Sequence, residues 1–166
     1  MTFISCKKDE DDAGPTDPID QLPPATQTGE GTFGCLVNGE PFVDNSGFFN
    51  CFYQLVDGEY YFGIGSDNEQ ANLSQIIIGS NNSQIITNTP IDLNENTDMQ
   101  FYGEINLDDI SGDFITTNLA DGTIVFTNFN TNSNIVSALF EFTIQIPSTE
   151  ETFEITEGRF DSFFTQ

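Results

Sequence analysis

The sequence predicts an all-β protein: an antiparallel meander of about ten short strands forming a β-sandwich or flattened barrel, behind a disordered N-terminal tether. Three observations carry this expectation. Val136, Ala138, Phe140, Phe142, Ile144 and Ile146 alternate with Ser137, Leu139, Glu141, Thr143 and Gln145, a period of two across residues 135–146, which marks a strand with one buried face. The dipeptides Asn38-Gly39, Asp57-Gly58 and Asp121-Gly122 sit between apolar runs, and Asn and Asp before Gly tolerate the positive φ of a two-residue hairpin turn. Finally, no window long enough for a helix repeats its apolar residues at a period of about 3.6.

The chain divides into residues 1–31, a tether, and residues 32–166, a single β domain. Within the domain, strands are expected at 33–37, 40–43, 48–56, 60–65, 75–79, 85–88, 100–107, 114–117, 123–127, 135–146, 152–156 and 159–164. Pro41 has no N–H for a ladder and belongs at an edge or a bulge. Residues 130–134, rich in Asn, cap the hairpin before the longest strand. Most connections are tight, which points to an up-and-down order rather than a Greek key. The chain has 17 Phe and no Trp, so Phe supplies the bulk between facing sheets.

Charge narrows the function classes. The chain carries 27 Asp+Glu against 3 Lys+Arg, a net charge of -24, with no His. So few cations exclude counterion release on nucleic acid and polybasic docking on anionic lipid. Without His there is no Ser-His-Asp or Cys-His catalysis and no His-ligated metal. No apolar run reaches the ~18 residues of a membrane-spanning helix.

The first residues, Met1-Thr2-Phe3-Ile4-Ser5-Cys6, place a small residue and a Cys after an apolar pair, and Lys7, Lys8, Asp9, Glu10, Asp11 and Asp12 follow. The stretch to Cys6 resembles the end of a bacterial lipoprotein signal peptide, here cut short, with Cys6 as the lipidated residue. The block after it resembles the surface-export signal of Bacteroidota lipoproteins. Pro15, Pro18, Pro23 and Pro24 then lie among Gly, Thr, Asp and Gln, a composition that builds no core. As a coil, ~25 such residues reach about 25–30 Å.

Further segments extend the likeness. Residues 22–29 read Leu-Pro-Pro-Ala-Thr-Gln-Thr-Gly, and residues 32–43 contain Thr-Phe-Gly-Cys-Leu-Val-Asn-Gly before Pro41-Phe42-Val43. The end combines Phe140-Glu141-Phe142 with Ile-Thr-Glu-Gly-Arg-Phe-Asp at residues 155–161. In these the chain resembles a family of uncharacterised Bacteroidota surface lipoproteins, a domain of unknown function. The resemblance implies a β fold and an outer-membrane, surface-exposed address, and no activity. It departs from that family in having fewer Lys.

Candidate sites are few. Cys35 and Cys51 stand either as a disulfide, which an oxidising location allows, or as two small buried residues. Arg159 is the only cation after Lys8 and is expected to pair with Asp161, Glu157 or a distant acid. Asp92, Asn94, Asn96 and Asp98 alternate like the start of a calcium loop, but Thr97 and Gly103 stand where such a loop needs Gly and Glu. Tyr53, Tyr61 and Tyr102 could stack on sugars.

The expectation is therefore a lipid-anchored cell-surface binding or structural module that is not an enzyme and needs no cofactor. It meets the membrane through its N-terminal lipid only, and its ligand or protein partner stays open. The alternatives are a carboxylate-based or calcium-dependent hydrolase of extracellular glycans and a lipocalin-like carrier of a small apolar ligand.

Overall fold

The computed structural model describes residues 17–46, 50–68, 73–117 and 122–166. The lipidation and export candidates Cys6, Lys7, Lys8, Asp9, Glu10, Asp11 and Asp12 lie outside these residues, as does Asp121. The described chain is an antiparallel β-sandwich. β1 (Thr32–Val37) and β2 (Glu40–Val43) form a hairpin turning on Asn38 and Gly39, at φ of 50° and 85°. β3 (Asn50–Val56), β4 (Glu59–Asp67) and β5 (Leu73–Asn81) follow as neighbours, the first turn made by Asp57 and Gly58 at 53° and 91°. Both turns take the positive φ that their dipeptides favour. Then come β6 (Ile91–Asp92), β7 (Gln100–Leu107), β8 (Phe114–Ile115), β9 (Gly122–Asn130), β10 (Ile135–Gln145) and β11 (Thr152–Phe163).

The strands divide into a six-stranded sheet, β2-β1-β11-β10-β9-β6, and a five-stranded sheet, β3-β4-β5-β7-β8. The hairpin order holds inside each run, but β1 lies beside β11, near the other end of the chain. Residues 85–88 form no strand. They link β5 in one sheet to β6 in the other, so they cannot follow either ladder, and Thr87 makes only a single bridge to Phe126. The two expected strands at 152–156 and 159–164 are one, bent by a bulge at Glu157, which sits at φ 53°. Gly158 follows because a Cβ there would lie 2.4 Å from the Phe140 ring. Pro41 is on the edge strand β2, as its missing N–H requires.

The core is the space between the sheets, and rings fill it. Phe62, Phe126 and Phe160 from β4, β9 and β11 lie with centroids 5.4–6.4 Å apart, and Phe33, Phe101 and Phe140 extend the cluster. Truncating a fully buried ring such as Phe126 to Ala costs about 3–5 kcal/mol. The alternation in β10 appears as burial: Val136, Ala138, Phe140, Phe142 and Ile144 face the core, and Leu139, Glu141 and Gln145 face out.

The boundary expected at residue 32 moves back. Asp17 caps a short 3-10 turn, Pro18–Gln21, accepting from the Ile19 N–H, and this turn packs beside β2. Leu22 is buried, and Pro23 lies over Gly34 of β1. Residues 22–30 are thus a strap docked on the sandwich, not a free spacer. No helix among the described residues is long and apolar enough to cross a membrane.

Candidate functional site

At one end of the sandwich the two sheets part around an open cleft of about 590 Å³. Its aromatic wall is Tyr53 from β3, Tyr60 from β4 and Phe129 from β9. Pairing sets Leu55 opposite Tyr60 and Tyr53 opposite Phe62, so both tyrosines share the face of the core residue Phe62. Strict alternation from Phe126 would turn Phe129 outward. A bulge in the β9–β10 register, where Ala138 pairs with Phe126 and Ser137 with Asn128, returns Phe129 to the inner face.

Tyr53 stacks on Tyr60 at 5.0 Å and 10° and meets Phe129 edge-on at 4.9 Å and 75°. Phe164, buried, stacks beneath Phe129. Burial pushes the Tyr53 hydroxyl pKa up, against a hydrogen bond with the Ile85 backbone that lowers it. Gln84, Thr131 and Gln166 stand at the polar rim. A second cavity of about 480 Å³ shares Tyr60 and Gln84 with the first and continues past Ile86 and Met99, both strongly exposed. Neither lining holds a charged side chain, in a chain in which 18% of residues are charged.

A second arrangement joins two segments that the sequence singles out. The Asp161 carboxylate, 1% exposed on the outer face of β11, is wrapped by the strap. It accepts from the Thr26 hydroxyl at 2.7 Å and from the backbone N–H groups of Thr28, Gly29 and Glu30 at 2.9–3.2 Å. The Ser137 hydroxyl of β10 donates from the other side at 2.8 Å. Burial alone raises a carboxyl pKa, but these donors outweigh it and hold Asp161 below its ordinary range. Asp161 is therefore satisfied by the strap and not by Arg159. Nothing in the local pattern of residues 155–161 announces this, because every donor except Ser137 comes from more than 130 residues away.

The other candidates settle as follows. Cys35 on β1 and Cys51 on β3 belong to opposite sheets, and both thiols are free and buried. No disulfide forms; each acts as a small apolar core residue. Burial pushes Cys51 up to about 12 and Cys35 up as well, so neither is a thiolate near neutral pH. Arg159 pairs with Glu157 at 3.3 Å across the bulge and also donates to the Glu157 carbonyl. Both line a shallow hollow of about 270 Å³ on the outer face.

Asp92, Glu95 and Asp98 are exposed. Asn94 donates to Gln100 and to the Asp92 carbonyl, and Asn96 accepts from Asn81. Among the described residues no group of three or more His, Cys, Asp or Glu side chains could hold a metal. Of the three sugar-stacking tyrosines, Tyr53 lines the cleft, whereas Tyr61 and Tyr102 lie on the outer face of the five-stranded sheet. Tyr61 donates to Glu59 at 2.7 Å, and Tyr102 covers Gly79.

A pair of carboxylates would be the mark of a hydrolase, and one carboxyl is perturbed. Glu104 on β7 is nearly buried, and burial followed by repulsion from Asp113 raises its pKa, against a long hydrogen bond from Asn106. It belongs to the outer face of its sheet and lines neither part of the cleft.

Compared with family models, with curated proteins and with solved structures, the chain finds no match.

Proposed function

We propose that this protein is a lipid-anchored, cell-surface binding module without catalysis, and that its binding site is the cleft at the end of the sandwich. The cleft carries the reading. It falls in the size range of small-ligand sites, with aromatic walls and a few polar groups at the rim. Its lining has no carboxylate, thiol or amine side chain, so its side chains offer groups to hold a ligand and none that shuttles a proton near neutral pH. The alternative hydrolase draws on Glu104 and Asp113, which lie away from the cleft. A lipocalin-like carrier would need an apolar cavity inside the β fold, where Phe62, Phe126 and Phe160 pack together.

The anchor and the site use different elements. The cleft takes no residue from the strap, β1 or β2. With the strap docked on the sandwich, the anchor at Cys6 precedes the described domain in the chain. One acyl chain binds only marginally, so the anchor on Cys6 is multiply acylated. The test is fractionation of the protein expressed in its native host with a complete signal peptide. Cys6→Ala is expected to move the protein from the membrane to the soluble fraction. Membrane attachment unchanged in that variant would remove the lipoprotein reading.

A further inference from the structure

We infer that the cleft binds a neutral saccharide, with sugar C–H faces against Tyr60 and Phe129 and hydroxyls on the amides of Gln84 and Gln166. This rests on the reading of the cleft as the binding site and adds the class of ligand.

Charge is the first argument. The protein's net charge is -24, so its field repels uronates, phosphates and other anions. A cation would be drawn in, but no acidic side chain lines either part of the cleft to pair with it. A neutral ligand remains. The second argument is the mixture of surfaces. The Gln166 amide also donates to Asn134, but a purely apolar ligand would leave the Gln84 amide and the Thr131 hydroxyl without partners on its side, and unpaired polar groups oppose burial. A sugar presents both an apolar face and a ring of hydroxyls, each able to donate and accept, as the primary amide also does. The third argument is extent. The adjoining cavity shares Tyr60 and Gln84 and adds Asn82, Ser83 and Met99, again uncharged. An extended chain of sugar units fits two linked cavities with a common wall better than a single compact ligand.

The experiment is calorimetric titration of the folded protein with neutral hexasaccharides of glucose, xylose and mannose units, with polygalacturonate and with Nile red. Tyrosine fluorescence is a parallel readout, since the chain has no Trp and two of its four Tyr line the cleft. At least one neutral hexasaccharide is expected to bind and to change the tyrosine signal. Tyr60→Ala should weaken it roughly tenfold, the scale of one aromatic contact. Gln84→Ala, at an exposed position where folding is not at stake, should weaken it about fivefold, the scale of one hydrogen bond. Nile red bound in the cleft, lost in Tyr60→Ala and not displaced by any neutral sugar, would overturn the saccharide and leave the binding module standing. Polygalacturonate as the preferred ligand would do the same. Sugar binding unchanged in both variants would place the sugar elsewhere and overturn the inference. A folded protein that takes none of these probes would overturn both.

Discussion

Among the described residues the two sheets each carry one nearly buried carboxylate on their outer face, and they treat it in opposite ways. Asp161, in the six-stranded sheet, is roofed by the strap and surrounded by three backbone N–H groups and two hydroxyls. Glu104, in the five-stranded sheet, has among the described residues a single long contact of 3.4 Å from Asn106 and faces the charge of Asp113. Burial disfavours ionisation at both. It is overcome at Asp161, whose pKa falls, and not at Glu104, whose pKa rises. Exposure alone therefore does not say whether a buried acid holds a fold together or strains it; the donor count does. The same contrast distinguishes the glycines. Gly29 in the strap sits at φ 81° against Phe163, whereas Gly79 has an ordinary strand backbone and merely lies beneath Tyr102.

The largest expected effect is at Asp161. Asp161→Ala leaves buried donors in the strap without an acceptor, at ~1–3 kcal/mol each, so a loss of at least ~3 kcal/mol is expected in urea unfolding. A loss under ~1 kcal/mol would mean that the strap contributes nothing.

Next comes Gly29→Ala, expected to cost about 1–2 kcal/mol for a side chain in the left-handed region, before any clash with Phe163. Gly79→Ala should cost less, because the half-exposed Tyr102 ring can swing aside and Ala recovers ~0.5–1 kcal/mol of strand entropy. Equal losses in thermal melts of the two variants would break the distinction.

The smallest effect reads the two acids through pH. The depressed pKa of Asp161 gives a stabilisation present above its ordinary value of 3.8 and lost as pH falls through the folded value. The raised pKa of Glu104 works in reverse: its contribution is present below 4.5 and is lost as pH rises through the folded value. Glu104→Gln should therefore stabilise near neutral pH, by less than ~1 kcal/mol for a group at the surface of a sheet. The gain should vanish in acid. A variant less stable than the parent at neutral pH would show that ionised Glu104 has favourable partners.

Much of the fold was legible. Alternation in residues 135–146 and the Asn-Gly and Asp-Gly dipeptides correctly placed β10 and two hairpin turns. A side chain's face depends on parity along its own strand, and a turn on the φ its own residues tolerate. The site was less so. Tyr53 was a candidate, but Tyr60 and Phe129 were not. Tyr60 follows a core parity that leads it past the end of the core, and Phe129 reaches the cleft only through a bulge. Of the two readings left open for Cys35 and Cys51, the structure takes the second: both are free thiols buried in the core.

What the sequence determined by itself was thus local: strand periodicity, turn chemistry, a Phe-filled core, and a strongly acidic balance of charge. Tertiary structure alone decided that β1 pairs with β11, that residues 22–30 are a strap, and that Asp161 is its anchor. The Thr26 and Asp161 side chains meet across 135 residues of chain. Such a contact forms only once β10 and β11 have paired and the strap has closed over the carboxylate, so its donors are chosen by proximity in space, which no spacing along the sequence encodes.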